Sequence, residues 1–194
     1  MKKKRILALF LAAVSCLSLA VSASATNTVN RKATDFHDFD KSAWYAEAVS
    51  AAVDNGLLYG KSSSIIDPNG AMTRAEMAAI INRSFGCYKA ADISQYKDVS
   101  KSKWYYKDVA LAVQMGTYNG RSSSAMAPDA PITRQEAMTV VARALELDYD
   151  AYAKTDLSAF SDRSEISNWA LPYVRAMVGA DYIHGRGKVL APLD

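Results

Sequence analysis

The sequence predicts an all-α protein built of helix–loop–helix repeats, and three observations carry that reading. Slid along itself by 60 residues, the chain matches at 18 of the 50 positions between 36–85 and 96–145 without a gap. Unrelated segments would match at about 3, so the repeat decides the architecture. Within each copy, apolar residues recur at helical spacing, and they flank a loop rich in Gly, Ser, Asp and Pro. The second helical stretch of each of the first two copies opens alike, as Thr73-Arg74-Ala75-Glu76 and Thr133-Arg134-Gln135-Glu136.

The elements follow in order. Residues 1–25 read as a secretory signal peptide. Lys2, Lys3, Lys4 and Arg5 precede an apolar run from Ile6 to Val21, and Ala23-Ser24-Ala25 supplies the small-x-small cleavage pattern. The run is short for a bilayer span. Ala13-Val14-Ser15-Cys16 has a faint likeness to a lipid-attachment box, but the residues after Cys16 stay apolar where a tether would be polar. No acidic residue precedes Asp35, so the formal charge of +3 becomes −1 without the leader's four cations. The electrostatic footprint of a nucleic-acid binder goes with it, and no membrane is expected as a partner once the leader is cleaved. A single cysteine then remains, Cys87. It cannot form an internal disulfide, lacks a nucleophile's context, and reads as a small residue just beyond a helix end.

A short polar segment, 26–35, leads into the first repeat at 36–86. The second repeat is 96–146 and the third, cut short, is 160–194. The joining segments 86–95 and 146–159 are polar and read as linkers. In the third copy Phe160-Ser161-Asp162 matches Tyr96-Lys97-Asp98, Trp169 matches Trp104, Gly185 matches Gly120 and Pro192 matches Pro128. In the first copy Val49, Ala52 and Val53 mark a helix that Gly56 is placed to end. Gly60-Lys61-Ser62-Ser63-Ser64 and Asp67-Pro68-Asn69-Gly70 are turn chemistry. The second helix places Met77, Ile80, Ile81, Ser84 and Phe85 on one face and stops at Gly86. Its counterpart places Ala137, Val140, Val141, Ala144 and Leu145 there. Pro172 requires the third copy's first helix to start near Trp169 or Ala170, because proline fits only a first turn. Helices this short are unstable alone, so the apolar faces of neighbouring copies must pack together.

Thr73 with Glu76, and Thr133 with Glu136, form capping boxes: the hydroxyl accepts from the glutamate's N–H and the carboxylate reaches back to the threonine's N–H. The arginines need another reason, since a cation at the first helical position opposes the helix dipole. Arg74 and Arg134 are either paired to a nearby acid or held at the helix N-terminus as a planar fork for a carboxylate ligand. All three tryptophans, Trp44, Trp104 and Trp169, occupy one repeat position, as core residues or as walls of a groove. Gly60, Gly120 and Gly185 either turn the chain or let the backbone approach a ligand.

Asp-x-x-x-x-x-Trp, then Gly-x-x-x-Gly, then Pro-x-x-x-x-Thr-Arg-x-Glu, repeated about every 60 residues behind a signal peptide, resembles the S-layer homology (SLH) family. The resemblance covers about 36–194. It implies three repeats in a pseudo-threefold arrangement around a helical core. It also implies non-covalent anchoring of extracellular proteins to bacterial cell-wall polysaccharide, an anionic and often pyruvylated glycan, in grooves between repeats. Residue by residue the implied ligand-binding positions are Arg74 and Arg134, Trp44, Trp104 and Trp169, and Gly60, Gly120 and Gly185. A sugar ring stacks on an aromatic face and its acidic group suits a bidentate donor.

The chain departs from that pattern at Ala191-Pro192-Leu193-Asp194, where a third Thr-Arg-x-Glu helix would begin. Either it is a fragment of a larger S-layer protein or surface enzyme, or its third groove is defective. The unpartnered apolar face is expected in the third copy, at Met177 and Val178. Catalysis is not expected. His37 and His184 have no metal-ligand or triad spacing, there is no phosphate-binding glycine loop, and no acid pair sits in a distinctive motif. No metal or cofactor is implied. A secreted scaffold that binds protein instead of glycan is the alternative.

Overall fold

The computed structural model describes residues 31–194. The signal peptide read at 1–25 and residues 26–30 lie outside the described residues. Within them the chain is helical: α1 (Ala46–Asp54), α2 (Arg74–Phe85), α3 (Tyr106–Gln114), α4 (Arg134–Ala144) and α5 (Leu171–Gly179). Single 3-10 turns at Ala33–Asp35 and Arg163–Glu165 precede α1 and α5. Extended pairing among the described residues is limited to the isolated bridges Thr73–Pro131 and Arg186–Val189. None of the helices is long and apolar enough to cross a membrane.

The helix ends follow from the sequence. Thr73 Oγ1 accepts from the Glu76 N–H at 3.2 Å while Glu76 Oε2 accepts from the Thr73 N–H at 2.8 Å. Thr133 and Glu136 repeat both bonds at 3.3 and 3.0 Å. Gly86 ends α2 in the left-handed region at φ 72°. Pro172 falls in the first turn of α5, behind the N-cap Ala170.

Between the two helices of a repeat the loop is held by an aspartate. Asp38 accepts from the N–H groups of Ile66 and Asp67 at 2.9 and 2.7 Å. Asp98 accepts from Met126 and Ala127 at 2.9 and 2.6 Å, and Asp162 from Leu190 and Ala191 at the same distances. The second residue of each clamped pair has positive φ: Asp67 54°, Ala127 54° and Ala191 50°. A left-handed alanine costs about 1–2 kcal/mol, which the two charge-assisted bonds offset. Burial works to raise the carboxyl pKa of Asp98 and Asp162, but the donated N–H groups outweigh it and leave both below the ordinary range. The Ile66 N–H does the same for Asp38.

The repeats interlock in a stagger. Helix α2 of the first repeat packs on α3 of the second, α4 packs on α5 of the third, and α2 touches α4. One core joins Ala75, Ala78 and Ile81 to Tyr105, Val109 and Ala112; the next joins Met138 and Ala142 to Ala170, Val174 and Met177. Neighbouring copies therefore pack together as the short helices require.

Three expectations are corrected. The buried face of α2 is Arg74, Ala75, Ala78, Ala79, Ile81 and Asn82, so Ile81 alone of the predicted five is buried; Met77 packs on the core from its edge, and Ser84 and Phe85 are exposed. In α4 it is Gln135, Met138, Thr139, Val140 and Ala142, so Val140 alone of the predicted five is buried. Small residues win these positions because each helix is covered by two neighbours and must be approached closely. The linkers are also part of the fold: Ile93 and Leu157 are buried, as is Ala33 of the leading segment at the same repeat position. The Ala91 N–H donates to Ala110 O and ties the first linker to α3. Finally, Met177 is only 3% exposed. The stagger leaves the open face in the first repeat instead, where Ala51 is exposed although its counterpart Leu111 in α3 is buried. Among the described helices and 3-10 turns α1 packs only against the turn before it, and its Val53 also packs on Ile66 of its own loop.

Thr133→Ala should lower stability by about 1 kcal/mol, read as the shift in thermal midpoint, since it removes a cap. Asp98→Ala should cost more, about 2 kcal/mol, because it frees the left-handed Ala127 as well as two N–H groups. The clamp carboxyls are held below their ordinary pKa, so their contribution is complete above that range and is lost as pH falls below it. A thermal midpoint measured from neutral to acid pH should drop there, and Asp98→Ala should flatten the drop.

Candidate functional site

The N-terminus of each second helix is completed by the next repeat's loop. The Arg74 and Ala75 N–H groups donate to Ala130 O and Pro128 O at 3.0 and 2.9 Å. Those of Arg134 and Gln135 donate to Asp194 O and Pro192 O at 2.8 and 3.0 Å. These are first-turn donors with no partner inside their own helix. The arginine side chain follows the same path. Arg74 Nε donates to Met126 O at 3.0 Å and Arg134 Nε to Leu190 O at 2.9 Å. Arg74 then continues, Nη2 to Asn119 O at 3.1 Å and Nη1 to Glu136 Oε1 at 2.9 Å, with its guanidinium 5.2 Å from the Tyr118 ring centre. It is 5% exposed. The motif arginine opposes its own helix but bonds across the joint, which is why it recurs.

Arg134 differs at its tip. Its Nη groups have no hydrogen-bond partner among the described residues. Desolvation, followed by the nearby Arg186, holds its pKa below the usual arginine value. The structure thus divides two residues that the sequence presents as equivalent: one guanidinium is engaged with protein and one offers its fork.

Two grooves lie between the repeats. The first, about 480 Å³, is walled by Tyr59, Gly60, Lys61, Glu76, Arg83 and Trp104. The second, about 520 Å³, is walled by the equivalent Asn119, Gly120, Arg121, Glu136, Arg143 and Trp169, with Arg74 at its edge. Each holds an acid under a cation. Lys61 Nζ lies 2.6 Å from Glu76 Oε2. Arg121 bonds Glu136 through Nε and Nη2, both at 3.1 Å. Burial favours the neutral form of Glu136, yet Arg121, the Thr133 N–H and Arg74 together keep its pKa low. In the first groove Arg83 lies 4.2 Å from the Tyr59 ring centre; at the edge of the second, Arg143 lies 4.7 Å from that of Tyr173.

The tryptophans are not core residues. Trp104 is 60% exposed and Trp169 52%, each on a groove wall, while Trp44 is 91% exposed and lines neither. The core place goes to the next residue, Tyr45, Tyr105 or Ala170. At Gly60, Gly120 and Gly185 an added Cβ would fall within 2.6 Å of Phe36, Tyr96 or Phe160. It would also fall within 2.7 Å of a loop carbonyl in each case. That close approach alone accounts for glycine there, and Gly60 and Gly120 also floor the grooves. Sequence reasoning missed the aspartate clamps and the groove cations Lys61, Arg83, Arg121 and Arg143. The signal was available, because Asp38/Asp98 and Arg83/Arg143 are identities of the 60-residue repeat and Lys61/Arg121 keeps the charge.

The S-layer homology domain model matches residues 35–78 and 95–138, the first two repeats. The chain is 34% identical over 79% of its length to a surface-layer 125 kDa protein of Lysinibacillus sphaericus, of which it covers 13%. An endoglucanase of Bacillus sp. (strain KSM-635) is 25% identical over 94% of the chain, which covers 19% of that enzyme. An amylopullulanase of Thermoanaerobacterium thermosulfurigenes is 28% identical over 81% of the chain, which covers 8% of it. The chain thus spans less than a fifth of the length of these relatives. Two matched repeats, a helical fold and surface-layer relatives establish that the chain belongs to the S-layer homology domain family and is a cell-surface protein.

Proposed function

We propose that this chain is a wall-anchoring module that binds an acidic, pyruvylated cell-wall polysaccharide non-covalently in the two grooves. One observation carries the reading. Each groove joins a half-exposed tryptophan to a cation and a glycine-floored loop, at two places related only by the internal repeat. Trp104 and Trp169 would stack on sugar faces. Lys61 and Arg83 in one groove, with Arg121 and Arg143 in the other, would supply donors to hydroxyl and carboxylate groups. The buried Arg74 acts as a positioning residue that holds the Gly120 loop and Glu136. Arg134 offers its free fork to an acidic substituent, with Gly185 and Arg186 in the same loop region, and the exposed Trp44 remains available.

No nucleotide, metal or membrane enters this reading, and the chemistry is binding rather than catalysis. The relatives named as hydrolases match over less than a fifth of their length. The endoglucanase match takes in 94% of this chain, which suits a module shared between surface proteins of different activity.

Sedimentation with purified cell walls tests the proposal, using walls before and after acid removal of pyruvate ketals. Trp104→Ala and Trp169→Ala should each weaken binding by about 1 kcal/mol, near fivefold, and the double variant by more, with thermal midpoints unchanged. Arg134→Ala should weaken binding to untreated walls only. Unchanged sedimentation of the double tryptophan variant would refute the groove assignment. Undiminished binding of the unaltered protein to stripped walls would point to a protein or peptidoglycan target.

A further inference from the structure

We propose that a basic pocket beside α5, outside both grooves, binds the phosphomonoester group of a sugar or polyol. The pocket, about 420 Å³, lies where the second linker meets the third repeat, and its polar lining is Lys154, Thr155, Asp156, Ser158, Arg163 and Arg175. No aromatic side chain lines it, so it is suited to hold charge rather than the face of a sugar ring. The lining is fixed from both sides. Asp156 accepts from the Ser158 N–H and hydroxyl at 2.8 and 2.7 Å. Arg175 reaches from α5 to donate to Ala153 O through Nη1 at 2.9 Å. Gly179 of α5 leaves no room for a side chain beside Thr155 and Tyr152, so the linker lies directly on the helix.

The repeat itself supplies a control. Asp156-Leu157-Ser158 matches Asp92-Ile93-Ser94, where the Ser94 N–H donates to Asp92 at 2.9 Å in the same turn and Ile93, like Leu157, is buried. By the registers of Phe160 on Tyr96 and Trp169 on Trp104, however, Lys154, Thr155, Arg163 and Arg175 stand where the second repeat has Ala90, Ala91, Val99 and Ala110. The turn and its packing form there without cations, so the fold does not require them. Among the described residues none of the three cations forms an ion pair, and Lys154 Nζ and the Thr155 hydroxyl have no hydrogen-bond partner. Arg175 Nε is buried and unpartnered as well. A buried donor left unpaired costs stability and points to an acceptor from outside the chain. Three cations and one carboxylate leave a surplus of two positive charges. A phosphomonoester, at about −1.5 to −2 near neutral pH, balances that surplus where a single carboxylate does not. Its three oxygens also suit two guanidinium forks, an ammonium and a hydroxyl.

The probe is glycerol 3-phosphate, titrated into the isotopically labelled protein at physiological ionic strength. Saturable amide shifts are expected across 154–158, together with movement of the Arg175 Nε–H resonance. Glucuronate, which offers one carboxylate, should bind about tenfold more weakly or worse. Lys154→Ala, Arg163→Val and Arg175→Ala each install the residue that the second repeat carries. Each should weaken glycerol 3-phosphate binding about tenfold with little change in thermal midpoint. Should Arg175→Ala disturb the fold, Lys154 and Arg163 carry the test, because both are exposed. The absence of saturable shifts at 154–158, shifts centred instead on Trp104 or Trp169, or equal affinity for glucuronate would each overturn the proposal. So would full affinity in the Lys154→Ala/Arg163→Val double variant.

Discussion

Each Thr-Arg-x-Glu helix start is completed by the loop of the following repeat, and most other features depend on that joint. A helix of 11 or 12 residues is marginal alone, and its first N–H groups need partners from outside. The loop provides them only in one conformation, which the aspartate clamp enforces by holding a left-handed residue just before the proline. The motif arginine enters the same socket. Burying a guanidinium is costly unless its donors are satisfied, and Arg74 meets Met126 O, Asn119 O and Glu136. Local capping, loop geometry and the contact between repeats are one arrangement.

That arrangement produces the surface. Because Tyr105 and Ala170 take the core place beside their tryptophans, the indoles are left on the outer face of the joint. The glycine that lets the loop close against its own repeat's aromatic ring also keeps the groove floor low. Grooves form wherever a loop meets the next repeat's first helix, so their number and spacing are set by the repeat. The pairing of cations to Glu76 and Glu136 keeps donors at the grooves while avoiding an uncompensated buried charge.

Much of this was legible in the sequence, for reasons that can be named. Thr73, Glu76, Gly86 and Pro172 act within one turn of themselves, so local rules sufficed. The register of the repeat identified Trp44, Trp104 and Trp169 as one position. Tertiary reach was not legible. Arg74 looks unfavourable by local rules because its partners lie 45 to 62 residues away, and Asp98 looks like one more identity because its partners are backbone groups across the loop. The helix faces at Met77 and Ala137 were misread because periodicity favours large residues, while the joint selects alanine. The unpartnered face was assigned to Met177 because a helix was assumed to pack within its own repeat; the stagger moves it to α1.

Hydrogen exchange tests that stagger most directly, by comparing the amides of α1, α3 and α5 in the unliganded protein. If each second helix covers the first helix of the following repeat, α3 and α5 exchange near the global unfolding limit and α1 opens first, with a lower free energy. If α5 opens first, or α1 is as well protected as α3, each repeat packs on itself and the joint at Arg74 does not organise the fold.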